Sequence, residues 1–273
     1  MPIGWGWLCR WSTNRYLAIR LLQYLVCTLV FAWQSFEETP LAVAANREEA
    51  NGRPSEPPAL YRHTPRVIAP RDTRVGGTWI GYNDAGVFVG ITNRWVDREG
   101  NRSRGKLVAD CLECTSATAA LEYVEQTLQT HRYAGFNLVV TDRNRAMLLE
   151  FDGELTVSEF APGIHVVVNV GHNGAYFEPP NRPEAGRTQA TNAERLQSVL
   201  QPKTGETAEE WLFRAGKTLG DHDYGVCVHG DSFGTRSTSL LCLETTNDDI
   251  DDHYWFAEGP PCQSPFRRVE SSL

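Results

Sequence analysis

Apolar residues recur along this chain in short runs, and most of the runs come in pairs. Cys27–Trp33 (CTLVFAW) and Leu41–Ala45 (LAVAA) are β-rich, and the turn-prone stretch 34–40 between them predicts a hairpin. Residues 51–70, rich in Pro and Arg, read as an irregular loop. The run Gly76–Tyr82, the turn Asn83-Asp84-Ala85-Gly86 and the return Val87–Thr92 predict a second hairpin. Phe136–Thr141 and Ala146–Phe151 flank Asp142–Arg145 as a third. Ile164–Asn169, Tyr224–Val228, Ser237–Leu243 and His253–Ala257 read as further strands, and 171–187 as loop.

The period lengthens in four places. Arg104–Glu113 and Ala117–Thr130 read as helices, the second with Ala120, Leu121, Val124 and Leu128 on one face. Asn192–Leu200 and Thr207–Leu219 read as two more, and Thr207 with Glu210 fits a capping box. Antiparallel hairpins flanking paired helices predict an α+β layered sandwich. No internal repeat and no Gly-rich phosphate loop is present.

Composition divides the chain at residue 26. Residues 1–26 hold Trp5, Trp7 and Trp11, three arginines and no acid, whereas the net charge of the whole chain is -8. Three readings fit that break: a signal peptide or membrane anchor, a genuine extension, or a displaced start. Arg20 and Gln23 interrupt the apolar run before Trp33, so a spanning helix is not expected. No small-x-small cleavage site precedes Cys27. The third reading is adopted: a GTG codon at Val26 initiates as Met, its removal exposes Cys27, and one domain spans 27–273. The remaining acidic surface argues against nucleic acid as a partner, no stable membrane insertion is expected, and the location is read as cytoplasmic. The seven cysteines are odd in number and irregularly spaced, which points to a reducing compartment rather than a disulfide framework. Only three basic residues are lysines; a high-salt cytoplasm and a GC-rich genome both account for that.

The ordered series CTLVFAW, LAVAANREE with Arg53-Pro54 after it, GGTWIG, GVFVGITNR, YAGFNLVV and GTRSTSLL resembles the NRDE family, also called the transport and Golgi organisation family, member two. The resemblance spans Cys27 to about Phe256, and its members start Met-Cys. It implies an N-terminal-nucleophile (Ntn) hydrolase fold, a four-layer αββα sandwich, with which the hairpins and helices are compatible. In such a fold an N-terminal cysteine carries its own base, because its α-amine, with a pKa near ~8, takes the thiol proton. The resemblance makes Cys27 the candidate nucleophile and sets Asn46-Arg47-Glu48-Glu49 on the NRDE motif, with Glu48 one methylene longer than the family's Asp. Arg47 is a candidate to hold the thiolate or orient the amine. Asn93 and Asn169 are candidate oxyanion donors, and Arg236 is a further candidate.

Each residue also has a plain structural reading. A cysteine in an apolar run is usually core, Arg47 and Glu49 suit a surface ion pair, and asparagines after strands cap turns. The Cys111-x-x-Cys114 pair lacks a second pair for zinc, the histidines are scattered, and no metal ligand is assigned. Trp79, Phe88 and Tyr133 are candidate pocket aromatics. The expected activity is an amidohydrolase or acyltransferase acting on a linear amide or thioester, without a cofactor. The alternative is a non-catalytic haem- or lipid-binding protein involved in trafficking, although no CxxCH or axial ligand pair supports haem. The expected partner is a small amide, acyl or lipid-like molecule.

Overall fold

The computed structural model describes residues 27–246, 249–270 and 273, and the expectations set on residues 1–26 lie outside them. Strand β1 (Thr28–Trp33) pairs residue for residue with β2 (Leu41–Ala50), from Thr28 opposite Asn46 to Trp33 opposite Leu41. The predicted first hairpin is therefore present, and β2 runs five residues further to carry the whole NREE segment. Around this pair an eight-stranded antiparallel sheet assembles. Its far members are β10 (Gly163–Val168), β11 (Gly171–His172) and β12 (Ala175–Tyr176) on one side, and β13 (Phe233–Thr246), β14 (Asp249–Ala257) and β15 (Arg267–Arg268) on the other.

A second, seven-stranded sheet runs in chain order: β3 (Ser55–His63), β4 (Arg66–Asp72), β5 (Ile80–Asn83), β6 (Phe88–Asn93), β7 (Phe136–Thr141), β8 (Ala146–Phe151) and β9 (Leu155–Glu159). Among the described residues four helices cover the outer faces: α1 (Arg104–Cys111), α2 (Ala117–Thr130), α3 (Pro183–Val199) and α4 (Ala208–Gly220). Three cores separate the layers. Val30, Ala32, Val166 and Leu240 pack under α3 and α4; Leu29, Phe31, Val43 and Phe88 pack between the sheets; Val89, Leu138 and Val140 pack under α1 and α2. This is the αββα sandwich expected from the family resemblance. Alternation is the cause, since successive residues of β1 face the helix layer and the sheet interface in turn.

Four local expectations are corrected. The stretch 51–70, taken as loop, contains β3 and most of β4. Pro57 and Pro58 are accommodated because β3 is an edge strand and both fall in the bulge between Glu56 and Ala59, where the ladder to β4 is already interrupted; a second bulge lies at Leu60/Arg62. Helix α3 begins nine residues earlier than Asn192, with Pro183 in its first turn where no intrahelical donor is needed. The short pair β11–β12 also falls in the stretch 171–187 taken as loop. Tyr224–Val228 is not a strand: His222–Tyr224 is a 3-10 turn closed by Gly225 at φ 65°. The capping box at Thr207 and Glu210 is formed as its sequence requires.

Candidate functional site

Cys27 lies at the start of β1, directly before the paired residues, on a strand whose odd positions (Leu29, Phe31, Trp33) face the sheet interface. Opposite it on β2, Arg47 continues the interface-facing series Leu41, Val43, Ala45. The two residues meet at one wall of a narrow cleft with a cavity of about 30 Å3, whose other wall is Trp79, Ile80, Gly90, Ile91 and Thr92. The Arg47 guanidinium lies over the Trp79 ring, 4.1 Å from its centroid. It is 7% exposed, its Nη2 is 3.8 Å from Glu49 Oε2, and its buried Nη1 has no hydrogen-bond partner among the described residues. Glu49 also faces Arg53 at 3.3 Å, and Arg53 is held by Asp72 at 2.6 Å.

Asn169 follows β10 and is fully buried. Its Oδ1 accepts from the main-chain nitrogen of Cys27 at 2.9 Å and from Gln189 Nε2 of α3 at 2.9 Å. Its Nδ2 donates to the carbonyl of Asn93 at 2.6 Å. Asn169 thus fixes the backbone of Cys27, a positioning that the strand pattern alone did not reveal. The thiol packs 3.9 Å from the carbonyl oxygen of Glu48. Burial, reinforced by the negative charge of Glu48, pushes the Cys27 thiol up to about 12. With an ordinary peptide bond before it, that thiol stays protonated near neutral pH.

The other predicted residues divide. Glu48 is 1% exposed, but on β2 it faces away from Arg47, and its Oε1 accepts from Thr235 Oγ1 at 2.9 Å. Burial raises its carboxyl well above the ordinary range. It therefore braces the rear of the sheet and does not line the cleft. Asn46, on the same rear face, donates to the carbonyls of Leu219 and Val226 at 3.1 and 2.8 Å and accepts from Thr238 Oγ1 at 2.7 Å, so it ties β2 to the end of α4. Asn93 pairs with Phe136, which packs in the outer core under α1 and α2. Paired residues share a face, so Asn93 joins the site through its carbonyl rather than its amide. Arg236 is the extra residue of a bulge opposite the Arg47–Glu48 junction, half-buried and without a hydrogen bond or ion pair among the described residues.

Of the aromatic candidates, Trp79 lines the cleft. Phe88 and Tyr133 are fully buried core residues. Cys111 is likewise core, and Cys114 contacts the Asp110 carbonyl at 3.9 Å.

The sequence reading missed Arg104, whose charge interacts favourably with both Cys27 and Glu49. Burial lowers its guanidinium to about 10. Its Nη1 donates to the Gly135 carbonyl at 2.6 Å. Gly77 explains its arrival: φ is 101°, and a Cβ there would sit 2.4 Å from the carbonyl carbon of Gly105. The GGTW segment thereby presses against the first turn of α1, and Thr78 donates to the Gly105 carbonyl at 3.0 Å.

The family profile described as Transport and Golgi organisation 2 matches residues 26–251. The chain belongs to this family. Among members of the Transport and Golgi organisation 2 family, the Bos taurus protein homolog is 27% identical over 247 residues, covering 80% of this chain and 85% of that protein. A Mus musculus homolog is 32% identical over 108 residues, 37% and 38% of the two chains. Solved structures similar to this member include a Caenorhabditis elegans orthologue of N-acylethanolamine-hydrolyzing acid amidase, at 12% identity and TM-score 0.49, covering 78% of this chain and 92% of that one. A mutant conjugated bile acid hydrolase from Clostridium perfringens matches at 11% identity and TM-score 0.46 over 90% and 93% of the chains. Among the described residues no helix is long and apolar enough to cross a membrane.

Proposed function

We propose that the protein is an N-terminal-cysteine amidohydrolase or acyltransferase acting on a linear amide or thioester, with the segment before Cys27 absent from the mature form. The observation that carries this reading is the hydrogen bond from the Cys27 main-chain nitrogen to Asn169 Oδ1, beside a thiol that opens into the Arg47–Trp79 cleft. With the 26–27 bond gone, that nitrogen becomes an amine held by the same acceptor.

The amine takes the thiol proton, and the resulting ammonium offsets the burial and carboxylate charge that hold the thiol near 12. The thiolate attacks the acyl carbon. The oxyanion is met by the buried, unpartnered Nη1 of Arg47 and by the second hydrogen of Asn169 Nδ2. The ammonium returns its proton to the leaving amine as the C–N bond breaks, and water or a second amine releases the acyl group from sulfur. A thioester follows the same course, with a thiol leaving.

The test compares Val26→Met protein started at residue 26, in which methionine removal exposes Cys27, with protein retaining residues 1–26. Both are treated with a chromogenic acyl amide and an acyl electrophile, and adducts are read by intact mass. Acylation is expected only in the Cys27-terminal form and is lost in Cys27→Ala. Equal acylation of both forms, or acylation that survives Cys27→Ala, refutes the proposal.

A further inference from the structure

On the opposite side of the large sheet from the cleft, two segments far apart in sequence bring four metal-binding side chains to one point. His222, Cys227 and His229 come from the connection between α4 and β13; Cys262 comes from the turn between β14 and β15. One ligand atom from each lies within 4.8 Å of every other. Cys227 Sγ is 3.5 Å from Cys262 Sγ and 3.6 Å from His229 Nε2. His229 Nε2 is 3.1 Å from Cys262 Sγ and 3.2 Å from His222 Nε2.

Hydrogen bonding does not account for this cluster. His229 Nε2 has three polar neighbours within 3.6 Å, yet one ring nitrogen offers a single hydrogen or a single lone pair. A disulfide does not account for it either, since the sulfurs are well beyond the ~2.05 Å of an S–S bond and the histidines would have no role. A tetrahedral zinc ion does. Zn–S bonds of about 2.3 Å and Zn–N bonds of about 2.0–2.1 Å place sulfurs about 3.8 Å apart, sulfur and nitrogen about 3.6 Å, and nitrogens about 3.4 Å. Four of the six ligand pairs lie within 0.5 Å of those values, and the two pairs of His222 with the sulfurs lie within 4.8 Å, so a small movement of the exposed His222 ring completes the tetrahedron.

We infer that His222, Cys227, His229 and Cys262 form a Cys2His2 site for Zn2+. Four protein ligands fill the tetrahedron, so the site is structural rather than catalytic. Binding releases two thiol protons, giving a zinc ion held by two thiolates and two neutral imidazoles. The local fold is built for this convergence. Gly225 in the left-handed conformation turns the chain after His222. Gly220 lets the 261–262 backbone approach closely, since a Cβ there would sit 3.2 Å from the nitrogen of Cys262.

The site also braces the NREE strand. Val226, beside Cys227, accepts from Asn46, and Val228 donates to Thr235 Oγ1, which in turn donates to Glu48. The inference is independent of the chemistry proposed for Cys27, and Cys27 is no part of its test.

Untagged full-length protein, reduced and offered Zn2+ and then passed through a desalting column, should retain one zinc per chain by elemental mass spectrometry. Cys262→Ser and His229→Gln should lose it, and Cys114→Ser should keep it. In wild type, where folding of a variant is not at issue, zinc should shield two additional thiols from a disulfide reagent. Co2+ in its place should give thiolate charge-transfer and tetrahedral ligand-field bands. Wild type that retains no zinc, equal retention by Cys262→Ser and His229→Gln, or a Cys227–Cys262 disulfide forming equally with and without zinc overturns the inference.

Discussion

Replacing Asn169 with Ala removes three hydrogen bonds from a side chain with no solvent access. The partners set the cost. Gln189 is 4% exposed, and its Oε1 already has no partner among the described residues, so loss of Asn169 strands its whole amide in the interior. A stranded buried amide costs about 1–3 kcal/mol, and the bonds to the Cys27 nitrogen and the Asn93 carbonyl add about 1 kcal/mol each. The expected loss is about 3–5 kcal/mol, or a fall in Tm of about 6–20 °C. Urea unfolding measures it as a shift in midpoint at unchanged slope. The double variant Asn169→Ala/Gln189→Leu removes the stranded amide along with its partner and should recover about 1–3 kcal/mol of the single-variant loss. A single-variant loss below ~1 kcal/mol, or a double variant no more stable than Asn169→Ala, would refute the claim that this asparagine is the hub holding Cys27 in place.

Gly77→Ala places a Cβ 2.4 Å from the Gly105 carbonyl carbon at a φ of 101°. It should cost more than ~3 kcal/mol in urea unfolding, whereas Gly52→Ala, with open space around it, should cost little. Glu48 has a folded-state value above its ordinary 4.5. Its contribution is therefore fully present below about 4.5 and is lost as pH rises through the folded value. Glu48→Gln has no such loss, so its stability relative to wild type should climb with pH above 4.5 by at most about 1.4 kcal/mol per pH unit; a difference that stays flat above 4.5 removes the premise that burial raises this carboxyl. The Arg47–Trp79 stack should show about 1–2 kcal/mol of coupling in an Arg47→Ala/Trp79→Ala double-mutant cycle, and additivity would mean that the two side chains do not interact.

Most hairpins and three of the four described helix starts were legible in the sequence because their causes are local. The runs 136–141 and 146–151 flank a tight turn and pair as read, with Asp142 Oδ1 accepting from the nitrogens of Asn144 and Arg145. Thr207 and Glu210 cap their own helix. The 55–72 hairpin was hidden because its prolines look like loop until the strand is known to lie at an edge. The site itself was half legible. The order of motifs pointed to Cys27, Arg47 and Asn169, but strand alternation decides which neighbours share a face only once one face is known to be inward. Arg47 and Glu48 are adjacent in sequence, yet packing sends one to the cleft and the other to the rear. The histidine–cysteine cluster lay beyond sequence reading altogether. Cys262 is 33 residues from His229, and only the close approach of its turn to Gly220 unites the four ligands. Local propensity fixes elements within a few residues, whereas the meeting of distant side chains depends on how whole layers pack.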